Sequence, residues 1–274
     1  MLGKLLKYEM KAGARMIPIS YLATAAVFLV GLIARSLKIH QVTTATTILL
    51  FFAGIPCIII TLIYVIMRFH KGMFGNEGYL TQTLPVGKGQ LLLSKLISSY
   101  IWMVASAAVF VAAWAGAMVV SNNLNIMPDI IDFVFGNSFA PLVIFIVVSS
   151  AVQLFAFLGE LYFAISLANT RQFLKNNVVF SVVFFFVTNF AVSLLELAAM
   201  LLIPLGIKFT ETGVVWTTKT MLGDLIFNME AFTGNQPLLS GISIGVGSCF
   251  ADLAAGIGLL LAAVWLLNHK TSVK

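Results

Sequence analysis

Six runs of apolar residues, each long enough to cross a bilayer as a helix, dominate this chain. They occupy about 16–34, 45–67, 96–120, 139–167, 178–203 and 242–267. A helical span needs about 20 such residues, and little of the 274-residue chain is left over once six are taken out. With 60% hydrophobic and 9% charged residues, there is too little polar surface to cover a water-soluble core. The reading is an all-α, polytopic membrane protein with one transmembrane domain over 1–274 and no room in it for a soluble catalytic domain. The net charge of +6 has no soluble basic face on which to gather, which argues against nucleic acid as a partner. Membrane lipid is the natural counterpart of the basic residues. Cys57 and Cys249 both fall inside apolar runs and read as small hydrophobes.

Between the runs, three stretches carry information. Residues 1–15 place Lys4, Lys7, Lys11 and Arg15 at intervals of three or four, with Leu2, Leu5, Leu6 and Met10 on another face. This pattern predicts an uncleaved amphipathic helix lying in the membrane interface ahead of the first span. Residues 68–95 are too polar and Gly-rich to span, yet too apolar for a plain solvated loop. Within them Tyr79, Leu80, Thr83 and Leu84 recur at one-turn spacing, which suits a short surface helix ended by Pro85. A new helix is expected from about Gly89. Residues 205–241 form a long connection with apolar clusters at Val214–Trp216 and Met221–Met229. Short helices dipping into the outer leaflet would use such clusters, and so would a small cap packed on the span ends.

The distribution of positive charge orients the chain. With both termini cytoplasmic, twelve of the sixteen Lys and Arg residues lie inside: Lys4, Lys7, Lys11, Arg15, Arg68, Lys71, Lys88, Lys95, Arg171, Lys175, Lys270 and Lys274. Arg35, Lys38, Lys208 and Lys219 lie outside. The positive-inside rule favours this arrangement, and it puts 68–95 in the cytoplasm.

The stretch Glu77-Gly78-Tyr79-Leu80, followed by Leu84-Pro85 and then Leu91-Leu92-Leu93-Ser94-Lys95, resembles the first cytoplasmic loop of bacterial ABC (ATP-binding-cassette) transporter permeases of the type-2 export family. The resemblance implies a six-span subunit in the bacterial cell membrane, paired with a second permease subunit as a homodimer or heterodimer. It implies that 68–95 carries a coupling helix, with Glu77, Gly78, Tyr79, Leu80, Thr83, Leu84 and Pro85 meeting a separate cytosolic ATPase. ATP and Mg would be bound by that partner. It also implies a re-entrant external helical pair in 205–241. The implied function is export of an amphipathic substrate, such as an antimicrobial peptide, lipid or drug.

The residues themselves carry no catalytic chemistry. No stretch matches G-x-x-x-x-G-K-[ST], so the chain is not expected to bind or hydrolyse ATP by itself, and no cofactor or metal is expected in it. His40, His70 and His269 stand at span ends or in loops, and none has the partner that a metalloprotease or serine-protease site needs. Three acids do fall within spans: Glu160, Glu196 and Asp252. An intramembrane acid costs about 2.5–3.5 kcal/mol even on a lenient scale, so a function is the default hypothesis. They could line a substrate path or couple transport to protons, the latter defining an alternative class of secondary transporter. They could also reach the headgroups or bond to a neighbouring helix. By position, Asp252 is about ten residues into the sixth run and has the strongest claim to facing the interior. Two small-residue faces in that run, Gly247/Ala251/Ala255 and Ala254/Gly258/Ala262, are expected to pack closely on other helices.

Overall fold

The structure is a computed structural model, and it describes residues 2–75, 86–121, 140–173, 176–210, 213–223, 226 and 243–269. Six helices in it are long and apolar enough to cross a membrane. The chain divides into two compact units, Met1–Pro128 with Thr271–Lys274, and Asp129–Lys270.

The first unit is built from α1 (Leu2–Ser36), α2 (His40–Phe74) and α3 (Lys88–Val120), each packed on the other two. α1 runs unbroken for 35 residues, about 52 Å, straight through Pro18. The separate interfacial helix expected over 1–15 is therefore the first four turns of α1. The boundary at Arg15–Met16 is one of composition: Pro18 has no N–H to give to the Ala14 carbonyl, yet the helix continues through it. Lys4, Lys7, Lys11 and Arg15 are all exposed along those turns. Gly13 faces the other way and is buried against the indole of Trp102, where a side chain would collide. A tight turn at Lys38 (φ 57°) joins α1 to α2, with Ile39 N donating to Ala34 O at 3.0 Å.

A buried hydroxyl seam ties the three helices together. Ser106 Oγ of α3 lies 2.7 Å from Tyr21 Oη of α1 and 2.6 Å from Thr61 Oγ1 of α2. In an apolar environment such groups must pair with one another, so the seam fixes the rotation of each helix as well as its position. The guanidinium of Arg35 donates to the carbonyl of Val119, in the last turn of α3.

The stretch 68–95 is more helical than a loop. Residues 68–74 finish α2, and α3 opens at Lys88, next to the Gly89 start expected. The short helix expected around 79–84 lies outside the described residues.

The second unit is built from α4 (Ala140–Ala168), α5 (Asn177–Leu202) and α6 (Gly247–His269), again in mutual contact. Between α5 and α6 the chain makes a three-stranded antiparallel sheet of β1 (Gly206–Thr210), β2 (Gly213–Thr217) and β3 (Ser243–Gly245), in the order β2-β1-β3. Ile207 stands opposite both Trp216 and Ile244 and is itself buried. The helical pair expected in 205–241 is thus replaced over 206–217 by a hairpin. The local sequence explains this. Ile207, Phe209, Val214, Val215 and Trp216 are β-branched or aromatic, and Gly206 and Gly213 bound the strands. Most of the remainder, 227–242, lies outside the described residues.

Because β3 pairs with β1, α6 begins at Gly247 rather than near Ile242. The buried line of α6 is Asp252, Gly256, Leu260, Ala263 and Leu267. It differs from both small-residue faces read from the sequence. Of those faces, Gly247 packs on the backbone of Ala199 and on Ile203, whereas Ala254 and Gly258 are exposed. The close approach of α4 and α6 is made by Gly159 and Gly256 instead. A Cβ on Gly159 would lie 3.1 Å from the carbonyl oxygen of Gly256.

Candidate functional site

The three intramembrane acids, one from each helix of the second unit, converge. On α4 the polar residues Ser149, Gln153 and Glu160 fall at helical spacing. On α5 Asn189, Ser193 and Glu196 do the same, and on α6 Ser248, Cys249 and Asp252 cluster within five residues. Antiparallel packing of α4 on α5 and of α5 on α6 brings the three sets to one place.

Two adjoining clefts result. One, of about 330 Å³, is lined by Ser150, Gln153, Glu160, Asn189, Ser193 and Glu196 among others. The other, of about 340 Å³, is lined by Ser149, Gln153, Ser193, Glu196, Ser248 and Asp252, with Phe145, Leu197 and Met200 supplying apolar wall. Gln153, Ser193 and Glu196 line both. A volume near 300 Å³ is the lower end of what small-molecule sites use.

Each acid has a distinct setting. Glu160 is 3% exposed, and its Oε2 accepts a hydrogen bond from Asn189 Nδ2 at 3.0 Å. Its side chain is bonded across to α5. Asp252 is 4% exposed, and its Oδ1 is buried with no hydrogen-bond partner. It lies five residues into α6, about 7.5 Å from the helix start, which is half the depth expected from the apolar run. Glu196 is half-buried and lines both clefts, sharing the second with Asp252. No described Lys or Arg forms an ion pair with any of the three. The site is therefore a concentration of acceptors and negative charge in apolar surroundings. Asn189, Gln153 and Ser193 were not singled out from the sequence. Their signal is there, as polar residues repeating at four and three inside apolar runs.

In the first unit an ionic cluster joins the three helices. Glu9 of α1 accepts from Lys95 Nζ of α3 at 2.7 Å and from Arg68 Nε of α2 at 2.9 Å. Lys95 is 3% exposed. Gly72 makes room for it, since a Cβ there would lie 2.6 Å from Nζ. Sequence reading missed Glu9, a lone acid between Lys7 and Lys11. Arg68 and Lys95 bound the stretch expected to contact an ATPase, so a single carboxylate holds both of its flanks. The residues expected to make that contact, Glu77, Gly78, Tyr79, Leu80, Thr83, Leu84 and Pro85, lie outside the described residues.

Among the described residues no group of three or more His, Cys, Asp or Glu is placed to hold a metal ion. Comparison of the chain with protein-family models, with curated proteins and with solved structures finds no match.

Proposed function

We propose that this chain is the membrane subunit of an ATP-driven exporter, as its likeness to type-2 export permeases implies. The observation that carries the transport reading is the acid-lined pair of clefts within a bundle of three apolar helices. Placing three carboxyl groups there is costly, and a path for a polar or charged group is what repays it. In this reading the chain works in a bacterial cell membrane with both termini cytoplasmic, beside a second permease subunit. A cytosolic ATPase binds ATP and Mg and engages Glu77–Pro85. Closure of the ATPases then moves the spans as rigid bodies. The clamp of Glu9 on Arg68 and Lys95 supports this part, because force on the segment between them passes to three helices at once.

A second reading is proton-coupled transport. It is favoured by the gathering of Glu160, Glu196 and Asp252, one acid from each helix, around two adjoining clefts.

The deciding experiment is copurification with the ATPase encoded beside the chain, followed by ATP hydrolysis with Glu77, Tyr79 and Leu80 changed together. A stable complex whose hydrolysis falls in that variant supports the ATP-driven exporter. Transport in vesicles that needs a proton gradient and no ATPase supports the second reading and sinks the first.

A further inference from the structure

We propose that the paired clefts of the second unit bind an N–H-rich organic cation, an ammonium or guanidinium group, between Asp252, Glu196 and Glu160. The inference rests on the transport reading and names the chemical class of substrate that such a path takes.

Four observations point to this ligand. First, the lining offers acceptors almost throughout. Three carboxyl groups, the Gln153 amide and the hydroxyls of Ser149 and Ser193 line the clefts, and each can accept. Second, Asp252 Oδ1 is buried and unpartnered, in a side chain 4% exposed that lines the second cleft. A buried acceptor left without a donor is costly, so a donor brought by a ligand fits there. The neighbouring Glu196 carboxyl carries like charge and no N–H. Third, no described Lys or Arg neutralises the cluster. Fourth, Phe145, Leu154, Phe157, Leu197 and Met200 add apolar wall on either side. A cation with a short apolar body suits such a place.

The geometry also selects among cations. Two carboxyl groups lining one cleft match the parallel N–H bonds of a guanidinium or the three donors of a primary ammonium. A quaternary ammonium has the charge but no donor for Asp252. The described His, Cys, Asp and Glu do not form a metal-holding group. A protonated amine could arrive as a free solute or as a lipid headgroup, and the site chemistry is the same for both.

The test uses the full-length chain in phosphatidylcholine nanodiscs, whose headgroup carries no N–H, titrated with agmatine by calorimetry at neutral pH. Saturable binding is expected, weakened about tenfold or more in Asp252→Asn and in Glu196→Gln, as loss of a charge-assisted bond implies. Gln153→Leu, which leaves the charges in place, weakens binding about threefold by removing a neutral bond. Tetramethylammonium and Na⁺ do not compete. Phosphatidylethanolamine nanodiscs separate the sources. Agmatine binding that disappears there identifies the lipid amine as occupant, and binding that persists identifies a free amine. Three results overturn the proposal: no saturable binding to a monodisperse wild-type chain, an affinity unchanged in both carboxamide variants, or equal competition by tetramethylammonium or Na⁺. The assay contains no ATPase. A chain that binds agmatine but never holds an ATPase keeps the site and loses the ATP-driven reading, while the reverse pattern does the opposite.

Discussion

Lys95 Nζ lies 2.7 Å from Glu9 Oε1, across 86 positions of sequence. Of the two, Lys95 is the more deeply buried, at 3% side-chain exposure against 14%. Removing the acid therefore takes a carboxylate away from a buried cation. Glu9→Gln is expected to cost about 3 kcal/mol, the lower end for breaking a buried pair. The double change Glu9→Leu with Lys95→Met should recover most of that loss. Thermal melting of the three proteins in one detergent checks this. A single variant as stable as the parent would show that the pair contributes nothing.

Ser106 serves two hydroxyls at once, those of Tyr21 and Thr61. Each keeps a second acceptor, Trp102 O for Tyr21 and Cys57 O for Thr61. Ser106→Ala should therefore cost only about 1 kcal/mol. Ser106→Val adds bulk to a fully buried position and should cost about 1–3 kcal/mol more. Denaturation by graded detergent replacement orders the three proteins, and the prediction fails if Ser106→Val is the milder change.

Asn189 supplies the N–H that Glu160 Oε2 accepts. Asn189→Leu leaves that oxygen buried and unmet, for a loss of about 1–3 kcal/mol. Glu160→Gln in the same background relieves the charge and should restore part of the stability. Melting curves for both give the sign, and additive losses in the double variant would count against a direct interaction.

Gly256 and Gly258 are two residues apart on α6 and should behave oppositely. A Cβ on Gly256 would sit 3.0 Å from Phe155 Cε1 and 3.1 Å from Ala156 Cα, whereas nothing lies within 4 Å of one on Gly258. Gly256→Leu should cost about 1–3 kcal/mol by overpacking, and Gly258→Ala should cost nothing. Side-by-side melts decide the matter. Equal loss in both would mean that α4 and α6 do not meet at Gly159.

The existence of six spans was legible because length and hydropathy alone carry it. Their ends were less so. An apolar run does not say whether Ser243–Gly245 is helix or strand, and pairing with β1 decides for strand. The basic stripe of 1–15 has the pattern of an interfacial helix, but a change of composition at Met16 does not oblige a helix to stop. The acids at 160, 196 and 252 stood out individually, since each is an exception in an apolar run. Their convergence depends on which helices are neighbours and how each is rotated. Glu9 was hidden for a different reason. On a basic, partly exposed helix a single acid looks like surface, and its partners lie 59 and 86 positions away.

The length of α1 has a mechanical meaning. Its 35 residues reach about 52 Å, while the hydrocarbon layer is about 30 Å thick. A rod longer than the layer it crosses is a lever. Held near Arg35 by the end of α3, a tilt of about 10° would swing the far tip by about 9 Å on the rise of an ordinary helix. Glu9 sits near that tip and grips α2 and α3. Motion of Arg68 on α2 and of Lys95 on α3 is therefore tied, through one carboxylate, to the tilt of a whole helix.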